Sequence, residues 1–136
     1  MVKLIMGLKG SGKTKQLIEL VKKSVEEEHG DVLCIERGPE LTYDIPHRAR
    51  LIFASQYNFG SYEFLKGFLS GLNASNYDLS HVFIDSLHKI VDDHSEAALE
   101  SFLSWLERFS EKESIKFTIT LSVEPSKVGE GLRKYI

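Results

Sequence analysis

Five short apolar runs punctuate the chain: Val2–Met6, Val32–Ile35, Arg50–Ala54, Val82–Ile84 and Ile115–Val123. Runs of this length, each bounded by polar or turn residues, predict buried strands of a parallel sheet. The stretches between them change period. Over Thr14–His29, Leu17, Leu20, Val21 and Val25 recur at spacings of three and four, with lysines and glutamates on the other face. This predicts an amphipathic helix, with Gly30 placed to end it in a left-handed conformation. Between Gly60 and Leu72 the residues Phe64, Leu65, Phe68, Leu69 and Leu72 share a face, with Tyr62 at its rim. Ser95 is a capping residue for a third helix, whose stripe runs Ala98, Leu99, Phe102, Leu103, Leu106 and Phe109, leaving Trp105 half exposed. Beyond Pro125 a short tail turns helical around Leu132.

Strands alternating with helices predict an α/β three-layer sandwich, with a mostly parallel sheet of about five strands and helices on both faces. Residues 1–136 read as a single domain. In such sheets ligands bind outside the carboxyl ends of the strands. Gly7, Glu36, Ser55 and Asp85 each follow a strand, so they are expected to gather along one edge.

One of these junctions carries a motif. Gly7-Leu8-Lys9-Gly10-Ser11-Gly12-Lys13-Thr14 matches the Walker A pattern at every required position. The chemistry demands this composition. Several backbone N–H groups must point at one anion, which needs angles that glycine adopts at low cost. The helix that starts near Lys13 adds its partial positive charge. Lys13 is expected to reach the β- and γ-phosphates of a nucleoside triphosphate, and the Thr14 hydroxyl to ligate Mg²⁺. The second piece is Val82-Phe83-Ile84-Asp85, an apolar strand ending in a carboxylate. Asp85 there orients the same metal, in the manner of Walker B.

With these residues in view, the chain resembles P-loop NTPases of the RecA-like ATPase group. Ile84-Asp85-Ser86-Leu87 looks like the Asp-Ser that ends their Walker B strand. The resemblance implies a catalytic glutamate after the strand that follows the P-loop helix, which is Glu36 in Val32-Leu33-Cys34-Ile35-Glu36-Arg37. It also implies that the last strand, Phe117–Ser122, brings a polar sensor residue towards the γ-phosphate. Ser86 stands where many other ATPases have a second carboxylate. The chain is also similar to small bacterial proteins described simply as ATP-binding. The expected function is a slow Mg²⁺-dependent ATPase, with Lys13 and Glu36 as catalytic candidates and ATP and Mg²⁺ as ligands. A nucleotide-dependent switch with little hydrolysis is one alternative, and a small-molecule kinase another. No Asn-Lys-x-Asp guanine motif is present, which favours ATP.

The remaining features modify this picture little. A net charge of −3 argues against general affinity for nucleic acid. The lone Cys34, in an apolar run, reads as packing. No run has the length of a membrane span or a leader, so the protein reads as cytoplasmic. Gln56 is a second candidate for orienting water. Arg133 in the tail is a candidate for completing a neighbour's site in an oligomer, against a plain solvated tail. His88 and Asp92, with Asp93 and His94, read as a solvated loop in preference to a metal site, and His81 reads as a turn residue. Tyr57 and Phe59 are candidates for a base or partner contact.

Overall fold

A computed structural model describes residues Met1–Ile136. Five strands form one sheet: β1 (Val2–Met6), β2 (Asp31–Glu36), β3 (Ala49–Phe53), β4 (Leu79–Ile84) and β5 (Lys116–Leu121). Their spatial order is β1-β5-β4-β2-β3, and every pairing is parallel. The helices are α1 (Lys13–Glu27), α2 (Tyr62–Ser75), α3 (Glu96–Glu113) and the single turn α4 (Glu130–Arg133). Each predicted strand and helix is present and the sheet is wholly parallel; the strict alternation fails once, because the β2–β3 crossover carries a single 3-10 turn, Pro39–Leu41, in place of a helix.

Strand alternation divides the interior in two. Leu33 and Ile35 of β2, Val82 and Ile84 of β4, and Phe117, Ile119 and Leu121 of β5 face α2 and α3, within a core of 25 buried residues. The intervening residues Val32, Cys34 and Phe83 face α1, where Leu17, Val21 and Val25, with Leu41, Ile45 and Ala49, complete a cluster of nine. The layers are therefore α1, sheet, and α2 with α3. Ser61 and Ser95 cap the helices of the larger layer, accepting hydrogen bonds from the N–H groups of Phe64 and Ala98.

Three local expectations are corrected. Helix α1 ends earlier, at Glu27, and Gly30 is not left-handed. Its lack of a side chain serves a close approach instead, because a Cβ there would collide with the Asp78 carbonyl and the Ser80 hydroxyl. The phase of α2 is rotated: Tyr62 is buried and stacks on Phe102 at 4.9 Å, while Phe64 is exposed. His81 is no turn residue. It lies buried within β4, its ring stacked 4.0 Å from that of Phe83.

Candidate functional site

The carboxyl ends of the strands gather the residues that the chain order separates. At the end of β1, Gly10 and Gly12 adopt φ values of 87° and 86°. Both lie in the left-handed region, where a Cβ is strained. Gly7 sits against Ser11, whose hydroxyl a Cβ at position 7 would strike. Two N–H groups are engaged, Gly7 to the Leu121 carbonyl at 3.3 Å and Ser11 to Leu8 at 3.1 Å. Those of Gly10, Gly12, Lys13 and Thr14 have no partner in the chain, because Gly12 begins α1 with no side-chain cap. Unpaired donors turning around one point suit an anion. Lys13 is the one charged residue of this loop that is buried; its ammonium donates to the Leu8 carbonyl at 3.1 Å. Leu8, Lys9 and Ser11 are exposed along the outside of the loop.

The second strand end meets the first. Thr14 Oγ1 donates to Asp85 Oδ1 at 3.3 Å, across 71 positions of sequence. Asp85 is held from two further sides. Its N–H donates to the Ile35 carbonyl at 2.9 Å, and Thr120 Oγ1 donates to Oδ1 at 2.8 Å. Thr120 Oγ1 in turn accepts from the Ser86 N–H at 2.7 Å. Ser86 is left-handed, with φ of 54°, an angle that costs a non-glycine residue energy and is seen where the surroundings impose it. A hydroxyl and a carboxylate converging here form an all-oxygen donor pair of the kind hard cations take.

Glu36 closes the same cavity, of about 220 Å³, which is lined also by Thr14, Arg37, Asp85, Ser86 and Lys89. Glu36 is 3% exposed, and its carboxylate accepts one hydrogen bond, from the Leu41 N–H at 3.1 Å. Burial pushes its pKa up to about 7; the Leu41 N–H opposes this, and the charges of Glu40, Asp85 and Asp44 add to it. A carboxyl poised near neutrality can exchange a proton at physiological pH.

Lys13, Thr14, Glu36 and Asp85 are thus brought to one edge. Gln56 is exposed and outside the cavity lining. Arg133 is exposed, and its Nε donates to the Val128 carbonyl of the same tail at 3.2 Å. His88 and Asp92 do not share a helix; His88 stacks on His94 at 4.8 Å. Sequence reasoning did not single out Thr120. The available signal was a threonine within an apolar strand next to the two that carry the site. Neither a protein-family model nor a curated protein sequence matches this chain.

Proposed function

We propose that the chain is a P-loop nucleotide-binding protein of RecA-like build that takes ATP with Mg²⁺ and hydrolyses it slowly. The observation that carries this reading is the Thr14–Asp85 hydrogen bond. It joins the first turn of the glycine-loop helix to a carboxylate at a distant strand end, which is the pairing that a shared metal–phosphate ligand requires. The unpartnered N–H groups of Gly10, Gly12, Lys13 and Thr14 support it from the other side.

In this reading the loop N–H groups and Lys13 hold the phosphates, and the Thr14 hydroxyl with Asp85 holds the metal. Bound Mg²⁺ supplies charge neutralisation for the departing phosphates. Thr120 fixes the rotamer of Asp85. Glu36 accepts a proton from the attacking water, with Leu41 N–H orienting its carboxylate. A second reading, a nucleotide-dependent switch with little turnover, draws on that same hydrogen bond, since it occupies one oxygen of the candidate base.

The melting temperature with and without excess Mg-ATP tests the proposal, with Lys13→Ala as the control. Ligand at about 100 times its dissociation constant stabilises by roughly 2.7 kcal/mol. For a domain of this size that is a rise on the order of 5–10 °C. Wild type is expected to rise and the variant to stay level. An equal rise in both removes Lys13 from the site, and no rise in either removes the nucleotide.

A further inference from the structure

The two edges of the sheet are finished differently. At the β1 edge the C-terminal tail lies alongside, and the Leu4 N–H donates to the Tyr135 carbonyl at 2.7 Å. At the β3 edge nothing does so. Strand β3 is terminal in the sheet and pairs only with β2; apart from the Ala49 N–H, which donates to the Pro46 carbonyl at 2.9 Å, the N–H and C=O groups it turns away from β2 have no partner in the chain. Such a row is a template for another strand.

The surroundings of this edge are distinctive. Arg48 and Arg50 stand at its amino end, both exposed and neither within an ion pair. They line a cavity of about 210 Å³ together with Leu33, Leu72, Asn76 and Asp31, whose carboxylate accepts from Asn76 Nδ2 at 2.8 Å and forms no ion pair with either arginine. From there an apolar strip runs back along α2 through Phe68 to Phe64, at a spacing of four residues. It ends in the aromatic group that Phe59 and Tyr57 form with them, with ring centroids 4.7–5.7 Å apart.

We propose that the free edge of β3 binds an extended acidic segment of a partner protein as a sixth strand, with carboxylates at the arginine end and apolar side chains against the strip. Backbone pairing supplies the affinity and the alternate side chains the selectivity, as in other strand-addition contacts. Charge decides the occupant. In a two-fold, antiparallel pairing of two copies through this edge, Arg48 and Arg50 of each face the carboxyl half of the other β3, which carries no carboxylate to receive them. The same two arginines attract an acidic strand. The inference is independent of the nucleotide site.

The probe is a synthetic peptide of about eight residues, a strand's ordinary length, with valine alternating with glutamate and two phenylalanines at one end. Its twin carries lysine for glutamate. Calorimetry and amide hydrogen exchange on the full chain read binding. The glutamate peptide is expected to bind and to slow exchange across Ala49–Phe53, and the lysine peptide to bind at least about ten-fold more weakly. Arg48→Glu with Arg50→Glu is expected to reverse the preference. Because the peptide pair is compared on the unaltered protein, the test stands even if that variant folds poorly. Absent binding, equal affinity for the two peptides, or protection elsewhere overturns the proposal. So does slowed exchange at β3 without peptide, accompanied by dimers in sedimentation, which gives the edge to a second copy.

Discussion

The two faces of the sheet are made by the same five strands and have opposite characters. The face under α2 and α3 packs a core of 25 buried residues in which the only polar side-chain atoms are the hydroxyls of Tyr62 and Tyr135. The face under α1 has only nine buried apolar residues and hides polar ones among them. Glu36 and Thr120 lie in phase with Cys34 and Thr118 on that face, and Asp85 continues the phase of Phe83. At its opposite end His81 shares a hydrogen bond with Ser24 at 3.2 Å and another with Thr118 at 2.8 Å. One face therefore supplies most of the hydrophobic stabilisation. The other can afford buried polar groups that the candidate site uses.

The strongest challenge to this division is Phe102→Ala. The ring is buried in the larger core, and its loss is expected to cost about 3–5 kcal/mol in denaturant unfolding. Variant that remains folded should bind Mg-ATP with wild-type affinity. A large affinity loss in the folded fraction breaks the division.

Next comes acid. Burial lowers the pKa of His81 to about 4, with Lys116 and the N-terminal amine adding to the shift and Glu28 opposing it. The unfolded chain takes up the proton near its ordinary pKa of about 6.5, so it binds more protons than the folded one between these values. Stability is then full above about pH 6.5 and falls by up to the order of 3 kcal/mol as pH drops through the folded value of about 4. Urea unfolding at stepped pH measures this. His81→Gln should flatten that limb, and an unchanged limb assigns it to other groups.

A closer comparison lies on β5 itself. Thr118→Val and Thr120→Val each remove a buried hydroxyl of nearly constant volume. Each leaves a polar partner unpaired, and each is expected to cost about 1–3 kcal/mol. Only Thr120→Val should weaken Mg²⁺-dependent nucleotide binding, because Thr118 serves His81 at the far end. Equal binding losses would mean that the face responds as one unit.

The effect of Glu36→Gln on stability depends on pH. The raised folded pKa means that the native carboxyl holds its proton longer than the unfolded one. Glu36 therefore favours folding most at low pH, and this advantage is lost as pH rises through about 7. Glutamine, uncharged and still an acceptor for Leu41, should raise the melting temperature above pH 7 and leave it unaltered near pH 4. Wild-type turnover should climb through pH 7, while the variant stays low and flat. Wild-type turnover in the variant makes Glu36 structural.

What could be read from the chain divides along the same line. The apolar face was legible because its strands and helix stripes are local patterns, visible within a few residues of each other. The junction residues were legible because glycines and carboxylates at strand ends are local too. Burial of His81 was not, since its partners Ser24 and Thr118 lie 57 and 37 positions away. Thr120 was hidden likewise, 35 positions from Asp85. The rotation of α2 escaped because Tyr62 and Phe64 are both aromatic, and only the neighbouring Phe102 decides which is covered. For Gly30 the local cue pointed to a helix cap, whereas the reason for glycine is the Asp78 carbonyl of a distant turn.

The strand order has a consequence in time. Strand β1 is made before the other four strands, yet its only sheet neighbour is β5, and Val2 pairs with Phe117. Contacts so distant in sequence form late, after the cost of closing a long loop. Until then the glycine loop hangs from a strand without a neighbour, and the Thr120 that steadies Asp85 is missing as well. An emerging chain therefore acquires β2, β3 and β4 before it has anywhere to seat its first strand. The glycine-rich turn that follows β1 becomes a fixed shape only once β5 has been made.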